Sequence, residues 1–71
     1  MTGRYEYRFW TSWTEQPKKH LPPYHFSKCH TFADKRDAIE RRDWYEAHVS
    51  AWIKPGAEFV EVSEVQDKWI A

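Results

Sequence analysis

At 71 residues with a single cysteine, Cys29, the chain makes one domain without an internal disulfide, and a fold this short buries only about 60% of the surface that its unfolded form exposes. Eleven Lys/Arg balance eleven Asp/Glu, which fits neither a strongly basic nucleic-acid binder nor an acidic nucleic-acid mimic. Only Gly3 and Gly56 are glycines, so no phosphate-cradling loop is present, and the absence of a long apolar run or an apolar leader argues for a cytoplasmic chain that does not span a membrane.

The compensation for small size is aromatic. Phe, Trp and Tyr together make up 18% of the chain, more than one core of this size can hide, so part of that surface is expected outside, where it favours a partner or self-association. The neutral total also conceals a gradient. Residues 1–33 hold five Lys/Arg against two Asp/Glu, and residues 34–71 hold six against nine. Opening on Met1 without a tag or scar, the sequence reads as a complete small open reading frame.

In chain order, Arg4 to Trp13 has the period-two alternation of a half-buried strand. Tyr5, Tyr7, Phe9, Thr11 and Trp13 face inward; Arg4, Arg8 and Trp10 stand on the outer face. Thr14 to Pro23 is a proline-stiffened loop carrying Lys18 and Lys19. Its Leu21-Pro22-Pro23-Tyr24 run lacks the spacing of a proline-rich ligand. Tyr24 to Thr31 is expected as a second, antiparallel strand. Its alternation is poor, because Tyr24, Phe26, Lys28 and His30 share a parity, and a bulge or two partly covered faces would account for that. Phe32 then serves as a hydrophobic staple for the helix that follows.

That helix is the most clearly signalled element, running from the N-cap Asp34 to Lys54. Asp37 adds negative charge in the first turn, and Pro55-Gly56 closes the far end. Spaced at about 100° per residue, Ala38, Ile39, Tyr45, Val49, Trp52 and Ile53 fall on one core-facing arc. Arg42 interrupts the arc; either its stem packs and its head snorkels, or a strand carboxylate or a ligand holds its charge. Trp44 projects with Asp37, Glu40 and His48 from the opposite side, next to Ala47 and Ala51. It is either covered by a loop or the tail, or free for a partner. The β-branched run from Glu58 to Val65 predicts a third strand over a competing helical reading. The tail, with Trp69 and Ile70, either extends that strand or folds back over Trp44. The expected fold is α+β: a ββαβ unit with a three-stranded, mostly antiparallel sheet and one helix across one face.

The chemistry-bearing residues do not assemble into a recognisable active site. His20, His25, Cys29 and His30, with His48, are metal-ligand types, but their spacing matches no common zinc site and Cys29 and His30 point to opposite strand faces. Cys29 paired with a histidine lacks an orienting third group and an oxyanion loop. Regular carboxylates at Glu58, Glu61, Glu64 and Asp67 read as a solvated or guarded edge. The sequence therefore reads as a non-enzyme with no implied metal or cofactor.

Two functions survive. The first is a protein-binding module acting by occlusion on a larger host protein or complex, through Trp44, Glu40, His48 and Ala51 or through the acidic edge Glu58, Glu61 and Glu64. A homodimer through the Trp44 face or a strand edge is the competing use of the same surface. The second is binding of RNA or single-stranded nucleic acid by the outer sheet face, with Trp10 stacking on a base and Arg4, Arg8 and Lys28 neutralising phosphates, supported by Lys18 and Lys19. The order of an aromatic YEYRFW strand, the ADKRDAIERRDWYEAHV helix and a PGAEFVEV strand resembles small phage-encoded proteins that bind and inhibit a host machine, including the short inhibitors of bacterial RNA polymerase. The resemblance covers nearly the whole chain as element order and size, and carries over no individual residue. It implies non-enzymatic inhibition by direct binding, and points to the acidic strand and the helix end.

Overall fold

A computed structural model of the chain describes residues 3–70. Strand β1, Arg4–Glu15, organises the sheet because it alone is long enough to serve three partners. On one side it pairs with β2 (Tyr24–Phe32), from Tyr7 opposite Phe32 to Glu15 opposite Tyr24. Its other side is shared. Strand β3 (Ala57–Val62) covers Thr11 to Glu15, and β4 (Gln66–Ile70) covers Arg4 to Arg8. All pairings are antiparallel. The fold is thus α+β, with a four-stranded sheet in which β3 and β4 are the two halves of one interrupted line.

Helices α1 (Lys35–Ala47) and α2 (Val49–Trp52) lie on one face of this sheet. No second layer covers the other face among the described residues, and the molecule measures 54 × 24 × 13 Å. Among the described residues no helix is long and apolar enough to cross a membrane.

Side chains set the local breaks. Where β3 gives way to β4, the Ser63 N–H donates to the Trp10 carbonyl at 2.9 Å, and Ser63 Oγ accepts from the Trp10 N–H at 2.8 Å. A hydroxyl thereby stands in for the missing ladder acceptor, and both polar groups of Trp10 are satisfied. A register shift at Ser12/Trp13 leaves Val60 as the extra residue of a bulge in β3. Of the two accounts of the poor alternation in β2, a bulge or two partly covered faces, the bulge is not found: β2 pairs with β1 in unbroken register. The expected strand Glu58–Val65 is likewise replaced by β3, the Ser63 break and β4.

The Asp34 carboxylate accepts from the Arg36 N–H at 2.8 Å and starts α1 as expected. The single helix to Lys54 is not observed, because His48 leaves helical geometry (φ −125°, ψ 44°). In an unbroken helix the Tyr45 carbonyl would accept from the Val49 N–H. Here it accepts from the Trp52 indole Nε1–H at 2.8 Å, and a side chain replaces the backbone donor. The chain then turns through Pro55 and Gly56, whose φ of 84° suits the third position of a type II turn, closed by the Ala57 N–H on the Lys54 carbonyl at 3.1 Å.

The core is thin. Among the described residues Phe9, Ala38 and Val62 are the buried apolar ones, with Thr11 buried as well. Phe9 stacks on His30 and Phe32, with ring centroids 4.7 and 5.8 Å away, and Tyr45 tilts against it at 5.8 Å. A second group of rings joins Trp13 to Phe26 and Trp52, and Trp52 to Tyr45 and Phe59, at 5.6–6.2 Å. Each such pair adds about 0.5–1.5 kcal/mol beyond its buried area. Ile39, expected in the core, is 41% exposed, since the neighbouring Ala38 takes the position closest to the sheet. The tail does not fold over Trp44. It runs along β1, and Trp69 meets Tyr5 edge-on at 5.0 Å.

Candidate functional site

Cross-strand partners share a face, so the register assigns each candidate to a side of the sheet. Trp10 lies on the open face opposite Cys29, with Arg4, Arg8, Ser12 and Thr14. Lys28 does not join them. It lies opposite Thr11, on the helix side, because the even-numbered residues of β2 follow Phe26 and His30 inward. Arg8 is engaged by Glu6 at 2.9 Å, with both side chains largely covered. Lys18 and Lys19 follow the far end of β1 from Arg4, a separation of about 35 Å along an extended strand. The nucleic-acid set Arg4, Arg8, Trp10, Lys18, Lys19 and Lys28 is therefore not one surface. Glu58 and Glu61 stand opposite Thr14 and Ser12 on the open face and add negative charge there.

The acidic edge is divided too. Glu64 turns from Glu58 and Glu61 toward Arg42, 3.3 Å away. Arg42 is the half-hidden charge of the helix: its side chain is 15% exposed. Its Nε–H donates to the Ser63 carbonyl at 3.0 Å, and its other nitrogens meet Asp43 and Glu46 as well as Glu64. Burial opposes the charge, but the Asp43 hydrogen bond and the Glu46 and Glu64 carboxylates outweigh it and raise the Arg42 pKa above its ordinary value. No strand carboxylate holds this arginine: Glu64 belongs to the β3–β4 break, and it acts together with the Ser63 carbonyl and the α1 carboxylates Asp43 and Glu46.

Trp44 is 38% exposed. It stacks on His48 at 4.9 Å, meets Tyr45 edge-on at 5.2 Å, and carries the Arg41 guanidinium 5.7 Å from its ring centroid. The His48 N–H donates to the Trp44 carbonyl at 2.9 Å, and its Nδ1 lies at the same distance. Glu40 pairs with Arg36 at 3.6 Å. Phe32, Asp37, Glu40, Arg41 and Trp44 line a shallow groove. Trp44, Glu40 and His48 are thus brought together as expected, whereas Ala51 lies in α2, beyond the break, and is not part of the groove wall.

A second concavity was not anticipated from the sequence. Between β1, β2 and the α1–α2 segment lies a cleft of about 340 Å³, lined by Thr11, Trp13, Lys28, His30, Tyr45 and Trp52, with Ile53 and Lys54 at its end. Its aromatic walls are residues that hydrophobic patterning assigns to the core. The signal that could have revealed it was Lys28, a cation with the parity of an inward-facing residue. Thr11 Oγ1 and His30 Nε2 share a hydrogen bond at 3.0 Å on its floor. Burial, then Lys28 and Arg41, lower the His30 pKa and favour its neutral ring.

Cys29 is exposed on the open face, opposite Trp10, while His30 stacks on Phe9 beneath the helix. The neighbouring ligand types therefore diverge, and among the described residues no three His, Cys, Asp or Glu side chains form a group that could hold a metal ion. No protein family, curated protein or solved structure matches the chain.

Proposed function

We propose that this chain is a small non-enzymatic protein-binding module that inhibits or regulates a larger host protein or complex by covering part of its surface, as the phage-encoded inhibitors that its element order resembles would do. The observation that carries this reading is the imbalance of apolar surface. Among the described residues three apolar ones are buried, whereas nine large ones are 38–54% exposed. So much open aromatic area is the composition of an interface.

Within that area the Trp44 groove is the favoured contact surface. Its indole is held by His48, Tyr45 and Arg41 and so loses little freedom on binding, and charged groups rim it as they rim interface hot spots. Occlusion requires only this fit. The open sheet face supports nucleic-acid binding less well, because Glu6 occupies Arg8 and Lys28 lies on the other side.

The test is capture from a nuclease-treated bacterial lysate by the wild type, by Trp44→Ala and by Trp10→Ala, each checked for folding by circular dichroism. The expected result is one host protein retained through nuclease and 0.5 M salt, kept by Trp10→Ala and weakened about 30-fold by Trp44→Ala, the size of a hot-spot loss. Hydrogen exchange on the purified complex should then protect residues 37–48. Capture abolished by nuclease or by Trp10→Ala, or no partner at all, overturns the reading.

A further inference from the structure

We propose that the cleft between the β1–β2 pair and the α1–α2 segment binds a small planar aromatic anion, a flat ring system carrying one carboxylate or phosphate. The cleft shares no residue with the Trp44 groove, and this inference goes beyond the protein-binding role.

The size is right for a compact ligand. About 340 Å³ falls within the roughly 300–1,000 Å³ of small-molecule sites, and such sites combine aromatic walls with a few convergent polar groups. The walls here are fixed in advance. Trp13 Nε1–H donates to Glu15 Oε2 at 2.7 Å, and Trp52 Nε1–H donates to the Tyr45 carbonyl at 2.8 Å. Both indole donors are thereby occupied, which leaves ring faces and edges as the available contacts. Trp52 stands at 70° to Trp13 and 67° to Tyr45. A flat guest can therefore stack on one ring while presenting its edge to another, the two arrangements that aromatic quadrupoles favour. A flexible alkyl chain gains neither.

On the floor Thr11 Oγ1 and His30 Nε2 engage each other. Charge selection falls to the two lysines of the lining. Lys28 forms no ion pair among the described residues, and Lys54 has only a 3.9 Å approach to Glu15, whose same oxygen already accepts from Trp13. Two ammonium groups against one engaged carboxylate leave a net positive rim. An anion gains from this rim, a neutral ring does not, and a cation is repelled.

The experiment follows the tryptophan indole and backbone amide signals of the full ¹⁵N-labelled chain by NMR during titration with 2-naphthoate, 2-naphthamide and decanoate, up to about 10 mM. Saturable naphthoate binding is expected, with shifts centred on the Trp13 and Trp52 indole N–H groups. Naphthamide and decanoate should each bind more than about tenfold more weakly. Lys28→Gln and Lys54→Gln should each weaken naphthoate by up to about fivefold, the scale of one exposed ion pair, and leave naphthamide unchanged. Adenosine monophosphate against adenosine then distinguishes phosphate from carboxylate; binding of either headgroup at these indoles supports the site. Equal affinity for naphthoate and naphthamide, shifts centred on Trp10 or Trp44, or no saturable response overturns the proposal. Unchanged spectra of the free lysine variants show that any lost binding is not lost folding.

Discussion

Arg42→Ala tests how the sheet tolerates its break. Only the contacts with sheltered groups count in full: Glu64 and Glu46 are 88% and 54% exposed, and water replaces the arginine there at little cost. The Ser63 carbonyl is different, because it loses a charge-assisted hydrogen bond beneath a covered side chain, worth about 1.5–3 kcal/mol. The arginine stem, largely covered, adds roughly 1 kcal/mol of lost packing. Discounting for water that refills the site, the expected loss is about 2–3 kcal/mol. A chain of 71 residues has only about 4–10 kcal/mol in total, so the melting temperature should fall by roughly 10–20 °C. Urea unfolding followed by tryptophan fluorescence should show a lower midpoint with an unchanged slope. Arg42→Lys, which keeps the charge but not the fork, should lose about half as much. A loss below about 0.5 kcal/mol for Arg42→Ala would refute the reasoning, since it would place this network among the surface pairs that contribute little.

Ser63→Ala removes the acceptor of the Trp10 N–H and should cost about 1–2 kcal/mol in the same urea assay, with faster amide exchange at Trp10 than elsewhere in β1. The His30 ring, whose folded pKa is lowered by burial and by Lys28 and Arg41, favours folding while neutral. The unfolded chain binds the extra proton first, so this contribution is complete above about pH 6.5 and is lost as pH falls through the folded His30 pKa. The urea midpoint should therefore drop between pH 7.5 and pH 5, and His30→Gln should reduce that drop; an undiminished drop would remove His30 from the account.

The features legible in the sequence were those with local signals. The alternation of β1, the Asp34 cap and the Pro55-Gly56 turn depend on residues within a few positions of one another, and helical phase set Trp44 apart from the core arc without deciding whether the tail covers it. The breaks were not legible. His48 leaves the helix where the Trp52 indole, seven residues beyond Tyr45, takes a backbone carbonyl. The β3–β4 interruption is closed by Ser63 against Trp10, 53 residues away. Both depend on side chains brought together only by the finished fold. The cleft escaped notice for a related reason: hydrophobic periodicity marks Trp13, Tyr45 and Trp52 as inward-facing but does not say whether the space between them is filled. Lys28 is a case of another kind, since its parity with Phe26 places it inward even in the sequence.

The sheet has two unlike margins. Along β2 the outer edge is continuous for nine residues and carries one formal charge, Lys28. The opposite margin is interrupted at Ser63, bulged at Val60, and studded with Glu58, Glu61, Glu64 and Asp67. Strands add most readily to long, uncharged edges, and carboxylates and bulges discourage them. This asymmetry limits how far the sheet can grow. If two copies met β2 to β2, their backbones would form one continuous sheet about a twofold axis and leave only guarded margins outside. Assembly through this edge would then be self-terminating, closing at a pair because the margins left outside resist further strands.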